Sequence, residues 1–318
     1  MKVIITGGAG FIGSNIAKRH IEKGDFVIII DDLSREGSIQ NIHKMQNHVV
    51  FYQKDITANA LDSIFEVHKD VDIVYHMAAQ VAVTKSVQNP MRDFAINAYG
   101  TLYILDIIRS LGINPFFIYA STNKVYGSLQ GEPYSVDEYT PTDFHSPYGC
   151  SKGAADQYVR DFSRIYGLNT VVFRQSCIYG PLQTGIEDQG WLSWFCQKYQ
   201  KNETINIYGT GRQVRDVLYI DDLIDLYELA YKNREKISGE IFNIGGGPEN
   251  TLSILELIDM LSLISGKKVK IEFKDWRSGD QRRYVSNINK AKSLGWEPKV
   301  KSSVGVKKLY DWTLGNII

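Results

Sequence analysis

Tyr148 and Lys152 have the residue types and the spacing that most directly suggest chemistry. They stand at i and i+4 in a Tyr-x-x-x-Lys motif, which places both on one face of a helix. A tyrosine with a pKa near 10 is a poor base at neutral pH, but a neighbouring cation favours its phenolate. Such a phenolate can take a hydroxyl proton while the hydride on the same carbon leaves for a nicotinamide. Thr122, 26 residues before Tyr148 and just beyond a predicted strand, can hydrogen-bond the same substrate oxygen.

A glycine-rich turn near the N-terminus supplies the context that this pair needs, since a lone Tyr-x-x-x-Lys among 19 tyrosines is usually a solvated surface pair. The turn follows the first predicted strand and opens the first predicted helix, as a dinucleotide-binding turn does. A nucleoside triphosphate loop is excluded because Ser14, rather than a lysine, follows the last glycine. The residues predicted to contact the cofactor here are Gly7, Gly10, Phe11, Ile12 and Gly13.

Acidic and small residues follow the next strands, where a cofactor should lie. Asp31, 21 residues after Gly10, can accept hydrogen bonds from both ribose hydroxyls and repels a 2′-phosphate, which favours NAD over NADP. Arg35 is close enough in sequence to oppose that preference. Further predicted cofactor contacts, each of which could instead be an ordinary loop residue, are Asp32, Asp55, Ile56, Ala78 and Ala79.

Alternating strands and helices must position these residues. Apolar runs too short for a stable helix predict strands at 3–6, 26–31, 49–53, 73–77, 116–120 and 170–174, with helices at 11–23, 61–68, 92–111 and 147–166. This alternation predicts an α/β fold, a Rossmann-type doubly wound parallel sheet over residues 1–173. Residues 174–318 should form a smaller α/β substrate domain, some segments of which return to the main sheet. There we predict helices at 191–201, 221–232 and 253–265 and a strand at 205–208, with Ser253 as N-cap and Gly266 as a stop.

Composition excludes several classes of partner and site. The chain has 36 basic and 36 acidic residues, so no global field attracts nucleic acid or an anionic membrane. Three cysteines without CxxC spacing argue against a disulfide framework, and six histidines without an HExxH or HxxxH pair argue against a metal site. With no signal peptide or membrane-spanning run evident, we expect a cytoplasmic protein that binds neither membrane nor nucleic acid.

Together these motifs resemble the extended short-chain dehydrogenases/reductases, in the group of nucleotide-sugar epimerases and dehydratases, over essentially the whole chain. The similar segments include residues 6–13, 148–152, 179–181, 214–217, 279–282 and 294–298. The resemblance implies a catalytic triad of Thr122, Tyr148 and Lys152, with NAD as cofactor. Tyr148 and Lys152 are also predicted to bind the cofactor, with Lys152 holding the nicotinamide ribose. The resemblance also places Asn97 at the family's structural asparagine, here counted with the cofactor-binding residues. It further implies a homodimer or homotetramer formed through the helices at 92–111 and 147–166.

The residues after Thr122 narrow the resemblance. The 4,6-dehydratases carry Thr-Asp-Glu, whereas this chain has Thr122-Asn123-Lys124, and an amide and an ammonium cannot replace an acid–base pair. Residues 121–127, 143–152 and 188–191 resemble instead the CDP-paratose (CDP-tyvelose) 2-epimerases. This implies inversion at C2 of a CDP-hexose through a 2-keto intermediate. Open alternatives are a UDP-hexose 4-epimerase, a 2-epimerase of another GDP- or CDP-sugar, and an NAD sensor without turnover.

A nucleotide-sugar substrate carries a pyrophosphate, which requires fixed donors and positive charge. By resemblance, Arg215 and Arg282 are the expected pyrophosphate ligands, and Arg212 and Arg277 are weaker candidates. The other predicted substrate-binding residues are Thr122, Asn123, His145, Gln189 and Trp191. Trp191 could equally pack in the core against Trp194 or Phe195, and a loop histidine such as His145 is more often incidental.

Overall fold

Short runs of Val, Ile, Phe and Tyr form the strands in the computed structural model, which describes residues 1–129, 135–277 and 281–315. The strands are β1 (Lys2–Thr6), β2 (Phe26–Asp31), β3 (Val49–Gln53), β4 (Ile73–His76), β5 (Phe116–Thr122), β6 (Thr170–Gln175), β7 (Cys177–Tyr179), β8 (Ile205–Tyr208), β9 (Val214–Tyr219), β10 (Glu240–Ile244), β11 (Thr251–Ser253), β12 (Ile271–Lys274) and β13 (Arg283–Tyr284). The helices are α1 (Phe11–Glu22), α2 (Ser38–His43), α3 (Leu61–Val67), α4 (Val83–Gln88), α5 (Pro90–Phe94), α6 (Gly100–Ser110), α7 (Ser146–Tyr166), α8 (Trp191–Lys201), α9 (Ile220–Lys232), α10 (Arg234–Ile237), α11 (Ile254–Ser265), α12 (Asn289–Lys292) and α13 (Ser302–Leu314). A π-helix spans Ala95–Tyr99, and 3₁₀ turns span Asn123–Tyr126 and Pro248–Asn250.

Seven strands form one parallel sheet in the order β10-β6-β5-β4-β1-β2-β3. The order 3-2-1-4-5-6 within it is that of doubly wound dinucleotide-binding sheets, so the predicted fold class is confirmed. The topology reverses between β1 and β4, and ligands bind at the carboxyl edge beside such a reversal.

Alternate residues of each strand enter two different cores. Val3 and Ile5 of β1 pack in one apolar cluster, while Ile4 packs with Ile28 in the other. Because helices cover both faces of the sheet, its strands have no polar side, which explains the uninterrupted apolar runs in the sequence.

The six predicted strands are all present, with small differences at their ends. β5 continues to Thr122, which pairs with Gln175 of β6, so Thr122 is the last residue of the strand rather than the first beyond it. β4 ends at His76, one residue earlier than predicted. The ladder to β6 therefore fixes the backbone of Thr122.

The helix predicted over residues 92–111 is present without a break from Pro90 to Ser110, but it contains a π-helical turn that was not predicted. The turn lies between α5 and α6 and contains Asn97. The Asn97 side chain accepts from the Gln80 amide at 2.9 Å and donates to the Gln80 carbonyl and to Ser151 Oγ, each at 3.0 Å. Such bulges arise where a helix accommodates an extra residue, and hydrophobic periodicity does not reveal them.

The second half of the chain builds two smaller sheets and contributes one strand to the large one. β10 pairs with β6 at the edge of the main sheet. β7, β9, β11 and β13 form a four-stranded sheet, and β8 pairs with β12. One apolar cluster contains Val3, Leu218 and Leu309, so a single core runs across residue 173.

Helices predicted in the second half form as expected. Ser253 caps α11 in a reciprocal capping box with Glu256, and Gly266 ends the helix in the left-handed conformation at φ 67°. α8 and β8 have the predicted bounds, and α9 begins one residue earlier. In the part of the chain that the structure describes, no helix has both the length and the apolar composition needed to cross a bilayer.

Candidate active site

Two adjoining cavities open at the carboxyl edge of the main sheet. The larger, of about 380 Å³, is lined by Thr122, Tyr148 and Lys152; the smaller, of about 160 Å³, is lined by the glycine turn and Asp31. Both are bounded by Phe11, Ile12, Met77, Ala79, Val81 and Gln189. The predicted catalytic and dinucleotide-binding groups therefore face one continuous cleft.

The three predicted catalytic residues come together in the larger cavity. Thr122 ends β5, and Tyr148 and Lys152 lie one turn apart on α7. Their exposed fractions are 7%, 8% and 3%. The Thr122 hydroxyl is near enough to hydrogen-bond the phenol of Tyr148. One hydroxyl and one phenol thus converge where a substrate oxygen can be held.

Burial controls the charge of the two titrating residues. It raises the pKa of Tyr148 to about 12, partly opposed by the hydrogen bond with Thr122. It lowers the pKa of Lys152 to about 7, against the opposing charges of Asp156 and Asp93. The Lys152 ammonium also lies 4.2 Å from the centre of the Tyr119 ring. In the protein alone, burial therefore disfavours both the phenolate and the ammonium.

A buried ion pair supports this arrangement from behind. Asp156, one turn beyond Lys152, binds Arg174 of β6 through two hydrogen bonds, at 2.9 and 3.0 Å, and accepts from Ser121 at 2.8 Å. Arg174 also donates to the hydroxyl of Tyr126 at 3.0 Å. The network connects α7, β5 and β6 at the level of the catalytic residues.

Close backbone approaches explain the glycines of the smaller cavity. A Cβ on Gly13 would lie 2.3 Å from the carbonyl oxygen of Gly7, and a Cβ on Gly7 would lie 2.6 Å from the amide nitrogen of Ala78. Gly7 also has φ 67°, in the left-handed region that favours glycine. Only glycine fits at these two positions.

Asp31 and Arg35 flank the same cavity with opposite charges. The Asp31 carboxylate accepts from the amides of Ala9, at 3.0 Å, and Leu33, at 2.8 Å, while burial raises its pKa. The Arg35 guanidinium donates to Gln189 Oε1 at 3.1 Å, which ties the loop after β2 to the loop before α8. Arg35 is therefore engaged across the cleft, toward the larger cavity.

Eleven of the predicted cofactor residues line the smaller cavity: Gly7, Gly10, Phe11, Ile12, Gly13, Asp31, Asp32, Asp55, Ile56, Ala78 and Ala79. Asn97 does not. Asn97 is 1% exposed, and its side chain donates hydrogen bonds to Gln80 and Ser151. These contacts support a structural role for Asn97.

The predicted substrate residues divide into two groups. Thr122, Asn123, Gln189, Trp191 and Arg215 line the larger cavity. His145 and Arg282 are exposed and do not line it, and Arg212 is exposed as well. Arg277, the weaker candidate, does line it. Of these two arginines, the structure therefore places only Arg277 at the larger cavity. Gly279 and Asp280 of the same motif lie outside the described residues.

Trp191 lines the larger cavity and also meets the Phe195 ring edge-on, with centroids 6.2 Å apart. Cys177 also lines the cavity, but burial raises the pKa of its thiol, so a thiolate nucleophile is disfavoured.

Several cavity residues were not predicted from the sequence. They include Lys124, Gln175, Glu187, Asn206, Tyr208 and Gln213. For Tyr208 the available signal was a strand that ends directly at a Gly-Thr-Gly turn. For the others no local pattern distinguishes a cavity residue from a surface residue, because their placement depends on how the second half packs against the first.

Comparison with known proteins places this geometry in a family. The family model described as GDP-mannose 4,6 dehydratase matches residues 4–309. The chain is 45% identical to a CDP-paratose 2-epimerase of Salmonella typhi, with 98% of this chain and 99% of the relative covered. The chain belongs to this nucleotide-sugar epimerase and dehydratase family.

Other members of the epimerase and dehydratase family are also similar. A putative UDP-glucose 4-epimerase of Methanocaldococcus jannaschii is 37% identical, with 99% of each chain covered. The solved structure of a UDP-glucuronic acid 4-epimerase from Bacillus cereus, in complex with UDP-glucuronic acid and NAD, superposes with a TM-score of 0.90 at 29% identity. That superposition covers 99% of this chain and 100% of the other.

Proposed function

We propose that this protein is an NAD-dependent isomerase that inverts C2 of a CDP-hexose of the CDP-paratose/CDP-tyvelose type through a 2-keto sugar. The observation that carries the chemistry is the convergence of Tyr148, Thr122 and Lys152 in a cavity that adjoins the glycine turn. The choice of C2 and of the CDP-sugar class is supported by the 45% identity to a CDP-paratose 2-epimerase.

The residues of the smaller cavity fit NAD. The glycine turn leaves no room for side chains between β1 and α1, and the N-terminus of α1 favours a diphosphate through its amides and its dipole. The Asp31 carboxylate suits ribose hydroxyls and repels a 2′-phosphate. When bound there, NAD supplies the acceptor for the hydride at the sugar carbon and the donor for its return.

The chain's own residues hold and move the proton. Tyr148, as phenolate, takes the proton of the C2 hydroxyl, and Thr122 hydrogen-bonds the same oxygen as it becomes a carbonyl. Lys152, when protonated, favours the phenolate and opposes the burial that raises the pKa of Tyr148. The keto sugar then presents its other face, and Tyr148 returns the proton to oxygen. No net redox change results, so we expect the cofactor to remain bound between turnovers.

Elimination of water is disfavoured by the residues beside Thr122. Asn123 and Lys124 line the larger cavity where a dehydratase needs an acid and a base. Neither an amide nor an ammonium can exchange protons as such a carboxylate pair does. The proposed reaction therefore consists of reversible oxidation and reduction of the sugar, without elimination of water.

The substrate's pyrophosphate would be held by guanidinium groups. Arg215 and Arg277 line the larger cavity with Gln189 and Trp191, and the bidentate geometry of arginine suits phosphate oxygens. We propose Arg215 and Arg277 as the pyrophosphate ligands and omit His145 and Arg282 from the substrate site.

The experiment that tests this function is turnover of a panel of CDP-, GDP- and UDP-hexoses, with NMR of the products. Inversion at C2 of a CDP-hexose is the expected result. Inversion at C4 of a UDP-hexose alone would establish the 4-epimerase alternative. Cofactor binding without any turnover would establish an NAD sensor.

We also propose a homodimer or homotetramer formed through α5, α6 and α7. Both α5 and α7 expose apolar side chains although they bury their other faces: Met91 (76%) and Phe94 (53%) on α5, and Ile165 (66%) and Tyr166 (52%) on α7. Exposed apolar side chains of this size are typical of a protein interface. Light scattering should give at least twice the monomer mass, and replacing Phe94 and Ile165 with aspartate should give the monomer.

We propose that the protein is cytoplasmic, because its cysteines form no disulfide bonds among the described residues. Cys150, Cys177 and Cys196 are all unpaired, as is usual for a reducing compartment. Fractionation of the source cells would test this assignment.

A further inference from the structure

One corner of the larger cavity contains a polar cluster of which the proposed function uses only Arg277. It consists of Glu187, on the loop before α8, with Asn206 and Tyr208 of β8 and Arg277, and all four line the cavity. β8 pairs with β12 in a separate sheet from β5, whose last residue is the catalytic Thr122. The corner therefore belongs to a part of the cavity built by the second half of the chain.

Hydrogen bonds hold the Glu187 carboxylate in place on one side only. Tyr208 Oη donates to Oε1 at 2.9 Å, and Asn206 Nδ2 donates to the same oxygen at 3.2 Å. Arg277 donates to the backbone carbonyl of Glu187 at 3.0 Å, and its guanidinium lies 3.7 Å from the centre of the Tyr208 ring. Within residues 1–129, 135–277 and 281–315, neither of the side-chain donors reaches Oε2. The carboxylate is thus oriented, with one acceptor oxygen left for a ligand.

Glu187 is a carboxylate, not a carboxylic acid, at neutral pH. Partial burial acts to raise its pKa, but the hydrogen bonds from Asn206 and Tyr208 and the charge of Arg277 outweigh it, and the pKa lies below its ordinary value. The side chain can therefore accept hydrogen bonds but cannot donate one.

The bases of nucleotide sugars differ in what they offer such an acceptor. Cytosine presents the amino group N4, a donor, where uracil presents the carbonyl O4, an acceptor. A fixed carboxylate accepts a hydrogen bond from N4 of cytosine. It repels O4 of uracil, because both groups are acceptors. The Tyr208 ring and the Arg277 guanidinium, 3.7 Å from the ring centre, line the same corner, and groups of both kinds can stack on a planar base.

From this corner we infer that Glu187 selects the nucleotide base and that it favours cytosine over uracil by accepting a hydrogen bond from N4. This inference deepens the proposed function, on which it rests for the presence of a nucleotide sugar in the larger cavity. Glu187 is a specificity residue and takes no part in the transfer of hydride or proton.

The test is calorimetric titration of the NAD-loaded enzyme with CDP, UDP and GDP. The wild type should bind CDP at least about tenfold more tightly than UDP, in line with the cost of a mismatched base edge. In Glu187→Gln the amide can donate to O4 as well as accept from N4, so the CDP/UDP ratio should fall to within about threefold. Glu187→Ala removes both the hydrogen bond to N4 and the repulsion at O4, so it should weaken CDP binding, strengthen UDP binding and narrow the CDP/UDP ratio.

A matched control is Glu203→Gln. Glu203 is an exposed carboxylate paired with Lys198 at 2.5 Å, outside the cavity lining, and it should keep the wild-type ratio. Wild-type protein that binds UDP or GDP as tightly as CDP would overturn the inference, as would a Glu187→Gln variant that keeps the wild-type ratio.

The two proposals can fail separately. If CDP is preferred and the preference is lost in Glu187→Gln, but C2 of the sugar is not inverted, the base assignment stands and the proposed reaction is wrong. If C2 is inverted and Glu187→Gln keeps its preference for CDP, the reaction stands and the base assignment is wrong.

Discussion

The hydroxyl of Ser121 donates to the carboxylate of Asp156 at 2.8 Å, and this bond joins the strand that ends at Thr122 to the helix that carries Tyr148 and Lys152. Asp156 is completely buried, and its carboxylate also forms a two-bond ion pair with Arg174 and accepts from the Gln157 side chain at 2.9 Å. The relative position of the catalytic hydroxyl, phenol and ammonium thus depends on a charge pair that lies outside the cavity lining.

Asp156→Asn should therefore be strongly destabilising. The change leaves the Arg174 guanidinium buried without its counter-charge, which typically costs about 3–5 kcal/mol. Urea unfolding of the variant and the wild type measures the loss. The control is Asp311→Asn, which breaks an exposed i,i+4 pair with Lys307 and should leave the midpoint unchanged. Equal losses of stability in the two variants would show that the buried ion pair stabilises the fold no more than the exposed pair does.

Lys152→Met should stabilise the cofactor-free protein while it abolishes turnover. Burial lowers the pKa of Lys152 to about 7, whereas in the unfolded chain it stays near its ordinary value of 10.5. Below pH 10.5 the unfolded state therefore binds the proton more readily, and the wild type loses stability as the pH falls toward 7.

The gain from Lys152→Met should accordingly be about 2–4 kcal/mol at pH 7 and should shrink toward zero near pH 10. Thermal unfolding of both proteins, stripped of nucleotide, at pH 7, 8.5 and 10 tests this trend. A variant that is less stable than the wild type at pH 7 would show that Lys152 stabilises the fold. It would contradict the prediction that the buried lysine lowers stability and is present for catalysis.

Gly13→Ala should weaken cofactor binding by distorting the turn. The added Cβ would stand 2.3 Å from the Gly7 carbonyl oxygen, and because the obstacle is backbone, the loop itself must move. We expect at least about a tenfold loss of NAD affinity, since the turn positions the diphosphate. Gly315→Ala, where the nearest atom is 3.9 Å away, serves as the control and should bind NAD normally. Normal affinity in Gly13→Ala would exclude the turn as the diphosphate site.

Tyr148→Phe should lower turnover by about 10²–10⁴-fold, the usual contribution of a general base. NAD affinity should stay within about twofold of the wild type, because only a hydroxyl oriented toward Thr122 is removed. Tyr139→Phe, at a side chain that is 93% exposed, is the matched control. Full activity in Tyr148→Phe would refute the assignment of the proton-transfer group.

The sequence predicted the parts of the site that depend on local geometry. The glycine turn, Asp31 and the Tyr148–Lys152 pair are set by residues within one turn or one strand–helix unit, so spacing alone located them. The main sheet was predictable for a related reason, because strands covered on both faces are uninterrupted apolar runs. Ser253 and Gly266 likewise mark the ends of α11 by their local capping chemistry.

Features that depend on distant packing could not be predicted. Arg277 and Arg282 are five residues apart in sequence, and only the tertiary structure shows that Arg277 lines the larger cavity while Arg282 is exposed and does not line it. The π-helical turn contains Asn97, whose side chain bonds Gln80 and Ser151, and neither of these partners is its neighbour in sequence. Glu187 acquires its partners from β8 for the same reason.

The most direct test of the central claim is NMR of the products formed when the NAD-loaded enzyme is incubated with CDP-paratose. The account predicts conversion to the sugar inverted at C2 alone, with retention of the carbon-bound hydrogen because the hydride returns to the carbon it left. Inversion at C4, loss of water, or exchange of the C2 hydrogen with deuterated solvent would contradict it.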